Sequence, residues 1–410
     1  MNSRTVASGA APLRFAIVGC GAIAVNHVRA LRSIPGVEVT AAIDSHPGRA
    51  RQFARDHGVP TEFDDIEQGL EAGVDAVTIC TPHRAHEAGV LAAAARGLHV
   101  LCEKPIATTP GEADRMIAAT ATAGVRFGVV YQRRMWSSAR RIRAALDDGS
   151  LGRPVAGSCV VQLRRDADYF AEPWRGRWET EGGGVLMTQA IHHIDLLQWF
   201  MGDAVSVSGR IATVKHGDLI EVEDTAVATI EFASGALAVL QAGTTYSPAL
   251  GARVLVSDRE GRTASLLEYP EGSDSVDVWT VDEPYEFASP LIADGPYDPP
   301  LPEVHARLRD AHSAQLVDFV DAVRRERDPA VTGREARKSL EIVAAVYESH
   351  RSGAPVPLAA NPAGVRPAWA YQASEPRTEA RSASGATPVR SASAREAVVA
   401  ASGVVPRSSR

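Results

Sequence analysis

The segment Leu13 to Ala24, Leu-Arg-Phe-Ala-Ile-Val-Gly-Cys-Gly-Ala-Ile-Ala, constrains the fold more than any other stretch. An apolar strand runs directly into Gly19-x-Gly21-x-x-Ala24, and a helical pattern follows through Leu31. Gly19 permits a tight turn, Gly21 lets the main chain approach a pyrophosphate, and Ala24 is small enough for the helix to pack closely on the strand. The helix start at Ala22, Ile23 and Ala24 presents free N–H groups and the positive end of its dipole to phosphates. The segment therefore predicts a dinucleotide-binding βαβ unit. Val37 to Ile43 reads as the second strand and Asp44 closes it, 25 residues after Gly19. A carboxylate there accepts hydrogen bonds from both ribose hydroxyls and repels a 2′-phosphate, which favours NAD over NADP, although Arg49 downstream softens the preference. The alternative for Asp44 is a helix N-cap ahead of Pro47.

The alternation continues with helices over Gly48 to His57, Ala85 to Arg96 and Gly111 to Thr122, and strands over Thr61 to Phe63, Asp75 to Thr81, His99 to Cys102 and Arg126 to Tyr131. Strands separated by helical patterns predict a parallel, doubly wound α/β sheet, which binds ligands beyond the carboxyl ends of its strands. Those ends carry Thr81-Pro82-His83 with His86 close behind, Glu103-Lys104-Pro105, and Gln132-Arg133-Arg134. Thr81, Pro82, His86, Glu103 and Lys104 are the further cofactor contacts expected. A lysine just past a buried strand can be held over the cofactor with a pKa lowered by partial burial, which suits general acid–base work. Its alternative is a salt bridge to a neighbouring carboxylate.

After Tyr131 an amphipathic helix around Ser138 to Leu146 leads into β-rich sequence. Strands are expected over Val155 to Leu163, Ala204 to Thr213, Thr225 to Phe232, Ala236 to Gly243, Arg253 to Ser257 and Val276 to Val281. Ser234-Gly235 reads as a hairpin turn, so this second sheet should be largely antiparallel. Between the first two strands, Gly182-Gly183-Gly184 runs into an apolar helix over Val185 to Phe200 that carries Thr188, Gln189, His192, His193 and Asp195. Consecutive glycines permit close backbone approach, and His192 follows Thr188 by one turn. A histidine there is either catalytic or an ordinary core residue. The aromatic insert at Tyr169-Phe170 and Trp174 to Trp178 leads into the glycines and is expected to line the cleft or to sit in the core. Arg134, Trp174, Thr188 and Gln189 are the expected substrate contacts, together with Lys104 and His192. The Pro-rich span 283–302 is too long for a simple connection and reads as a lid or subunit contact. Helices over Pro302 to Arg327 and Gly333 to His350 close the pattern.

Composition narrows the partners. The 410 residues and their 45% apolar content fill two cores, and a net charge of −7 with interspersed signs offers no field for nucleic acid or an anionic membrane. No apolar run reaches the roughly 18 to 20 residues that span a bilayer, and no secretory signal starts the chain, so the expected setting is cytoplasmic. Cys20, Cys80, Cys102 and Cys159 lack Cys-x-x-Cys spacing and read as reduced packing residues. A metal site from His192, His193 and Asp195 is disfavoured because adjacent helical histidines diverge by about 100°; no metal is expected.

Taken together, the glycine turn, Glu103-Lys104-Pro105, Tyr131-Gln132-Arg133-Arg134 and the Gly182 to Asp195 stretch resemble the Gfo/Idh/MocA oxidoreductases, named for glucose-fructose oxidoreductase, inositol dehydrogenase and a rhizopine-catabolism protein. The resemblance runs from about Leu13 to Leu358. It implies a Rossmann domain over 13–134 and an α+β domain over 135–358 whose large, mostly antiparallel open sheet forms a homodimer or homotetramer. It also implies hydride transfer between a nicotinamide and a ring carbon of a sugar, inositol or sugar derivative, with Lys104 and His192 matching the catalytic lysine and histidine. Many of these dehydrogenases carry Asp one turn before the histidine, where this chain has Thr188. A hydroxyl adds no charge to the imidazole, so Lys104 is the expected principal acid/base. Two rival readings are an NAD-dependent glycosidase, working by transient oxidation and elimination, and a non-catalytic dinucleotide sensor.

Residues 1–12 read as a leader. Residues 359–410, rich in Ala, Ser, Pro and Arg with no apolar period, read as a tail that adds nothing to a core. Truncation after Leu358 should leave the thermal midpoint and cofactor affinity unchanged; a fall of several degrees in a melting experiment would show that the tail docks.

Overall fold

Strands of the first half are apolar on both faces, as β4 (Ala76–Ile79, Ala-Val-Thr-Ile) shows with every residue buried. Such strands need cover above and below, which a parallel sheet flanked by helices supplies. The computed structural model describes residues 11–358 apart from 292–294 and 296; the expected tail and most of the leader lie outside the described residues. Six parallel strands run in the order β3-β2-β1-β4-β5-β6: β1 (Leu13–Val18), β2 (Val37–Ile43), β3 (Thr61–Phe63), β4, β5 (His99–Cys102) and β6 (Phe127–Val129). Helices α1 (Ala24–Arg32), α2 (Arg49–His57), α3 (Ile66–Leu70), α4 (His86–Ala95) and α5 (Pro110–Thr122) connect them. The start of α5 is written locally: Thr109 and Glu112 form a reciprocal capping box, and Pro110 supplies a preset first turn.

Helix α6 (Ser137–Asp147) leads into a second sheet of nine strands, ordered β14-β13-β12-β11-β7-β10-β9-β8-β15. Its members are β7 (Pro154–Gln162), β8 (Ala204–Ala212), β9 (Thr225–Phe232), β10 (Leu237–Gly243), β11 (Gly251–Asp258), β12 (Thr263–Glu268), β13 (Asp274–Trp279), β14 (Glu286–Phe287) and β15 (Val356–Pro357). Only the β7–β10 pair among them is parallel, so the expected parallel-plus-antiparallel α/β architecture is the one observed. The short helix α7 (Trp178–Glu181) precedes the glycines, and α8 (Ile191–Met201), buried along nearly its whole length, lies against β7 and β11. Part of the Pro-rich span is pinned to the sheet: β14 pairs with β13, and the Tyr269 hydroxyl donates to the Gly295 carbonyl at 2.6 Å.

The single helix expected after Pro302 is two, α9 (Leu301–Arg307) and α10 (Arg309–Arg324). Helix α10 returns to the first sheet. Leu316, Phe319, Val320 and Val323 join the core of Phe15, Ile17 and Leu31, and the Phe15 and Phe319 rings meet edge to face at 6.4 Å. Gln315 Nε2 donates to the Val129 carbonyl, and Val129 N–H donates to Val331, which occupies the open side of edge strand β6. The last helix, α11 (Gly333–Ser352), packs on β8, α5 and α8. All four cysteines are free and buried.

Because Phe319 is buried and seals one face of the dinucleotide sheet, Phe319→Ala should cost about 3–5 kcal/mol in denaturant unfolding; a loss under 1 kcal/mol would show that α10 contributes little to that core.

Candidate active site

At the end of β1, Gly19 has φ 90°, and a Cβ there would lie 2.7 Å from the Cys80 carbonyl carbon, so the turn excludes any side chain. Above Gly21 the space is open, with no atom within 4 Å of a built Cβ. Helix α1 begins beyond Ala22 and Ile23 with no side-chain cap and no acid in its first turn, while Ala24 is fully buried against the sheet. Its leading N–H groups therefore suit an anion. Asp44 closes β2, 8% exposed; its Oδ2 accepts from Cys20 N–H and its Oδ1 from His46 N–H, both at 2.8 Å. Arg49 Nη1 stands 3.8 Å from that carboxylate. An open glycine turn, an uncapped helix start and an acid at the second strand end fit the pyrophosphate and ribose of NAD.

Of the other expected cofactor contacts, Pro82 is exposed and Thr81 is half-buried with its Oγ1 unpartnered. His86 instead braces two strand ends: Nε2 meets the Thr81 carbonyl at 2.9 Å and Nδ1 the Pro105 carbonyl at 2.8 Å. Glu103 also turns inward. Its carboxylate lies 2.9 Å from His27 Nε2 on α1 and 3.8 Å from His312 Nε2 on α10. Burial alone would raise its pKa, but these imidazoles outweigh burial and hold it at about 2.

Lys104 reaches across the cleft and donates from Nζ to the Thr188 carbonyl at 2.7 Å. Burial lowers its pKa to about 8; Glu103 opposes that shift, while Arg133 and Arg175 reinforce it. The acceptor belongs to a π-helical turn, Leu186–Ala190, that precedes α8. The expected helix over Val185 to Phe200 is thus irregular at its start, as helices often are at functional sites. The turn is anchored by Glu223, whose carboxylate accepts from Gly184 N–H (2.8 Å), Leu186 N–H (2.9 Å) and the Tyr347 hydroxyl (2.9 Å). A Cβ at Gly184 would lie 1.8 Å from the Glu223 carbonyl oxygen, which explains the last of the three glycines.

His192, 4% exposed, stands edge to face with the Tyr131 ring at 5.8 Å, and its buried Nδ1 has no hydrogen-bond partner among the described residues. Burial, with Arg133 and Lys104 nearby, lowers its pKa well below the usual value, so the ring is neutral. His193 points elsewhere, its Nε2 2.7 Å from Glu268 on β12. Thr188 Oγ1 shares its one hydrogen between the Gly184 carbonyl and Gln189 Oε1, and Gln189 Nε2 donates to the Tyr169 hydroxyl at 2.8 Å. Trp174 meets the His83 ring at 5.6 Å, holding the aromatic insert against the first sheet.

The structure does not bring Arg134 to the cleft. It is 3% exposed and forms a bidentate pair with Asp195, both distances 2.7 Å, which Ser339 completes at 2.9 Å. Its neighbour Arg133 is bidentate to Glu268, at 2.8 and 2.7 Å. Arg175 lies in the insert expected to line the cleft but was not singled out, and His305 was missed; the charges of both act on or are acted on by Lys104. His305 lies in the stretch read as one long helix, and its carbonyl accepts from Asn26 on α1 at 3.3 Å.

A dinucleotide turn facing a lysine and a neutral histidine across a two-sheet cleft defines the class of two-domain nicotinamide oxidoreductases. The chain belongs to the Gfo/Idh/MocA family: the model for its NAD-binding Rossmann fold matches residues 13–131, and that for its C-terminal alpha/beta domain matches 143–358. It is 28% identical over 355 residues to scyllo-inositol 2-dehydrogenase (NAD(+)) of Bacillus subtilis, covering 84% of this chain and 96% of that protein. It is 28% identical to D-apiose dehydrogenase of Paraburkholderia graminis, covering 84% and 89%. The crystal structure of the WlbA dehydrogenase from Bordetella pertussis in complex with NADH and UDP-GlcNAcA superposes with a TM-score of 0.71 at 29% identity, covering 85% of this chain and 99% of that one.

With Asp44 closing β2 beside the glycine turn, NAD should bind more tightly than NADP, and Asp44→Ala should narrow the gap. Dissociation constants for both nucleotides measure this, and a wild-type preference for NADP would sink the assignment.

Proposed function

We propose that the chain is an NAD-dependent dehydrogenase acting on a ring CH–OH group of a sugar, inositol or sugar derivative, and that Lys104 is its principal acid/base. The observation that carries this reading is the Lys104 ammonium, lowered to about 8 and held on the Thr188 carbonyl beside His192. When bound, NAD supplies the hydride acceptor. Gly19, Gly21, the start of α1 and Asp44 would hold it. Unprotonated Lys104 takes the substrate hydroxyl proton as the carbon becomes a carbonyl, and protonated Lys104 returns it in the opposite direction. Neutral His192 orients that hydroxyl through a ring that carries no charge of its own. Thr188 contributes its main-chain carbonyl to Lys104, while its hydroxyl serves Gln189 and Gly184. The inositol and apiose dehydrogenases among the relatives support the substrate class.

The face of the second sheet away from α8 supports a homo-oligomer: Val227 on β9 and Leu237 and Val239 on β10 are about half exposed there. No helix among the described residues is long and apolar enough to cross a membrane. A cytoplasmic setting fits the four unbonded cysteines.

Oxidation should speed up as pH rises and level off above about 8, because the amine must be unprotonated. Lys104→Met should lower turnover by about 100 to 10,000-fold with NAD affinity little changed, and His192→Asn by about tenfold. Single-turnover rates across pH check both; a near-normal Lys104→Met beside an inactive His192→Asn would reverse the roles.

A further inference from the structure

The insert before the glycines holds a cation that the proton transfer does not use. The Arg175 guanidinium sits 4.2 Å from the Tyr169 ring centroid and 4.5 Å from that of Trp174. Its Nη1 donates to the Tyr169 hydroxyl and lies 3.6 Å from Glu181 Oε1. Among the described residues nothing accepts a hydrogen bond from Nε or Nη2, and 22% of the side chain is open to solvent. The two rings hold the guanidinium between them, and among the described residues its Nε and Nη2 groups have no protein acceptor.

Thr188 links this group to the reacting centre, its main chain on one side and its side chain on the other. Lys104 donates to the Thr188 carbonyl, the Thr188 hydroxyl to Gln189 Oε1, and Gln189 Nε2 to the same Tyr169 hydroxyl that Arg175 engages. Glu181, 2% exposed, balances the charge only in part. One oxygen accepts from Gly176 N–H at 2.5 Å, and burial raises its pKa to about 7, so it is only partly ionised near neutrality. A planar, weakly hydrated cation with two free donors matches the oxygens of a carboxylate or a phosphate, and a neutral hydroxyl makes poorer use of it.

We propose that Arg175 forms an anion subsite in the cleft, and that the substrate is a sugar or polyol carrying a carboxylate or phosphate ester that this guanidinium receives while a ring hydroxyl meets Lys104. The assignment rests on the dehydrogenase reading above and names its substrate class.

Calorimetric titration of the NAD-loaded protein with paired probes tests it: D-glucose against D-glucuronate and D-glucose 6-phosphate, and D-galactose against D-galacturonate. At least one anionic member should bind about 10 to 100-fold more tightly than its neutral partner, the range expected for hydrogen bonds to a charged group. Arg175→Gln should erase that difference, and Arg175→Lys, which keeps the charge, should retain part of it. Whether glucuronate or glucose 6-phosphate gains more identifies the anion. The proposal is overturned if every neutral sugar binds as tightly as its anionic partner, if Arg175→Gln weakens both members equally, or if it weakens NAD instead. NADH absorbance in the same samples reads the reaction separately. Arginine-dependent binding of an acid without NADH formation would support the subsite and count against the dehydrogenase reading.

Discussion

Two consecutive arginines at the end of β6 hold the cleft together. Arg133 and Arg134 diverge, one to Glu268 on β12 and the other to Asp195 on α8, each through a buried bidentate pair. Taking such charges out of water is expensive, so a pair of this kind adds little net stability over apolar packing, whereas removing one partner leaves a bare buried charge at about 3–5 kcal/mol. Their effect is positional. They fix the last strand of the nucleotide sheet against the helix carrying His192, so Lys104 at the next strand end meets a carbonyl at a set place. Burial keeps His192 neutral, and Arg133, held within reach, adds its charge to that effect.

Lys104 lies between opposed charges. Arg133 and Arg175 work against its ammonium while Glu103 and Glu181 favour it, and Glu103 is itself engaged by His27 and His312. Its hydrogen-bond acceptor is a main-chain dipole, the Thr188 carbonyl. An ammonium held by a neutral acceptor keeps its position when it loses the proton, since no ion pair must break, and this suits a group that moves a proton in both directions.

The first sheet was legible because strand, turn and helix each carry their own period, and all six strands lie where apolar runs and glycine turns placed them. Strand β12 was not read: Thr-Ala-Ser-Leu-Leu-Glu is buried at five of six positions, so no alternation marks it. The break at Leu308 was hidden because Leu301–Arg307 and Arg309–Arg324 are both helical, and the π turn because hydrophobic spacing does not distinguish it from an α turn. Within the site, Lys104 and His192 were singled out from strand-end position and helical placement, and Lys104 reaches the turn that leads into the helix of His192. Arg134 was placed in the cleft by its strand-end position; Asp195, the partner that buries it, comes from 61 residues away. Long-range pairing of this kind leaves no local mark in a sequence.

Helix α10 follows all of the strands of the second sheet except the short β15, yet it seals the hydrophobic face of the first with Leu316, Phe319, Val320 and Val323. A nascent chain that has delivered only β1 to β6 exposes Phe15, Ile17 and Leu31 to water. The nucleotide-binding half is therefore encoded first and finished last, and about 180 residues must leave the ribosome between its sixth strand and its closing helix.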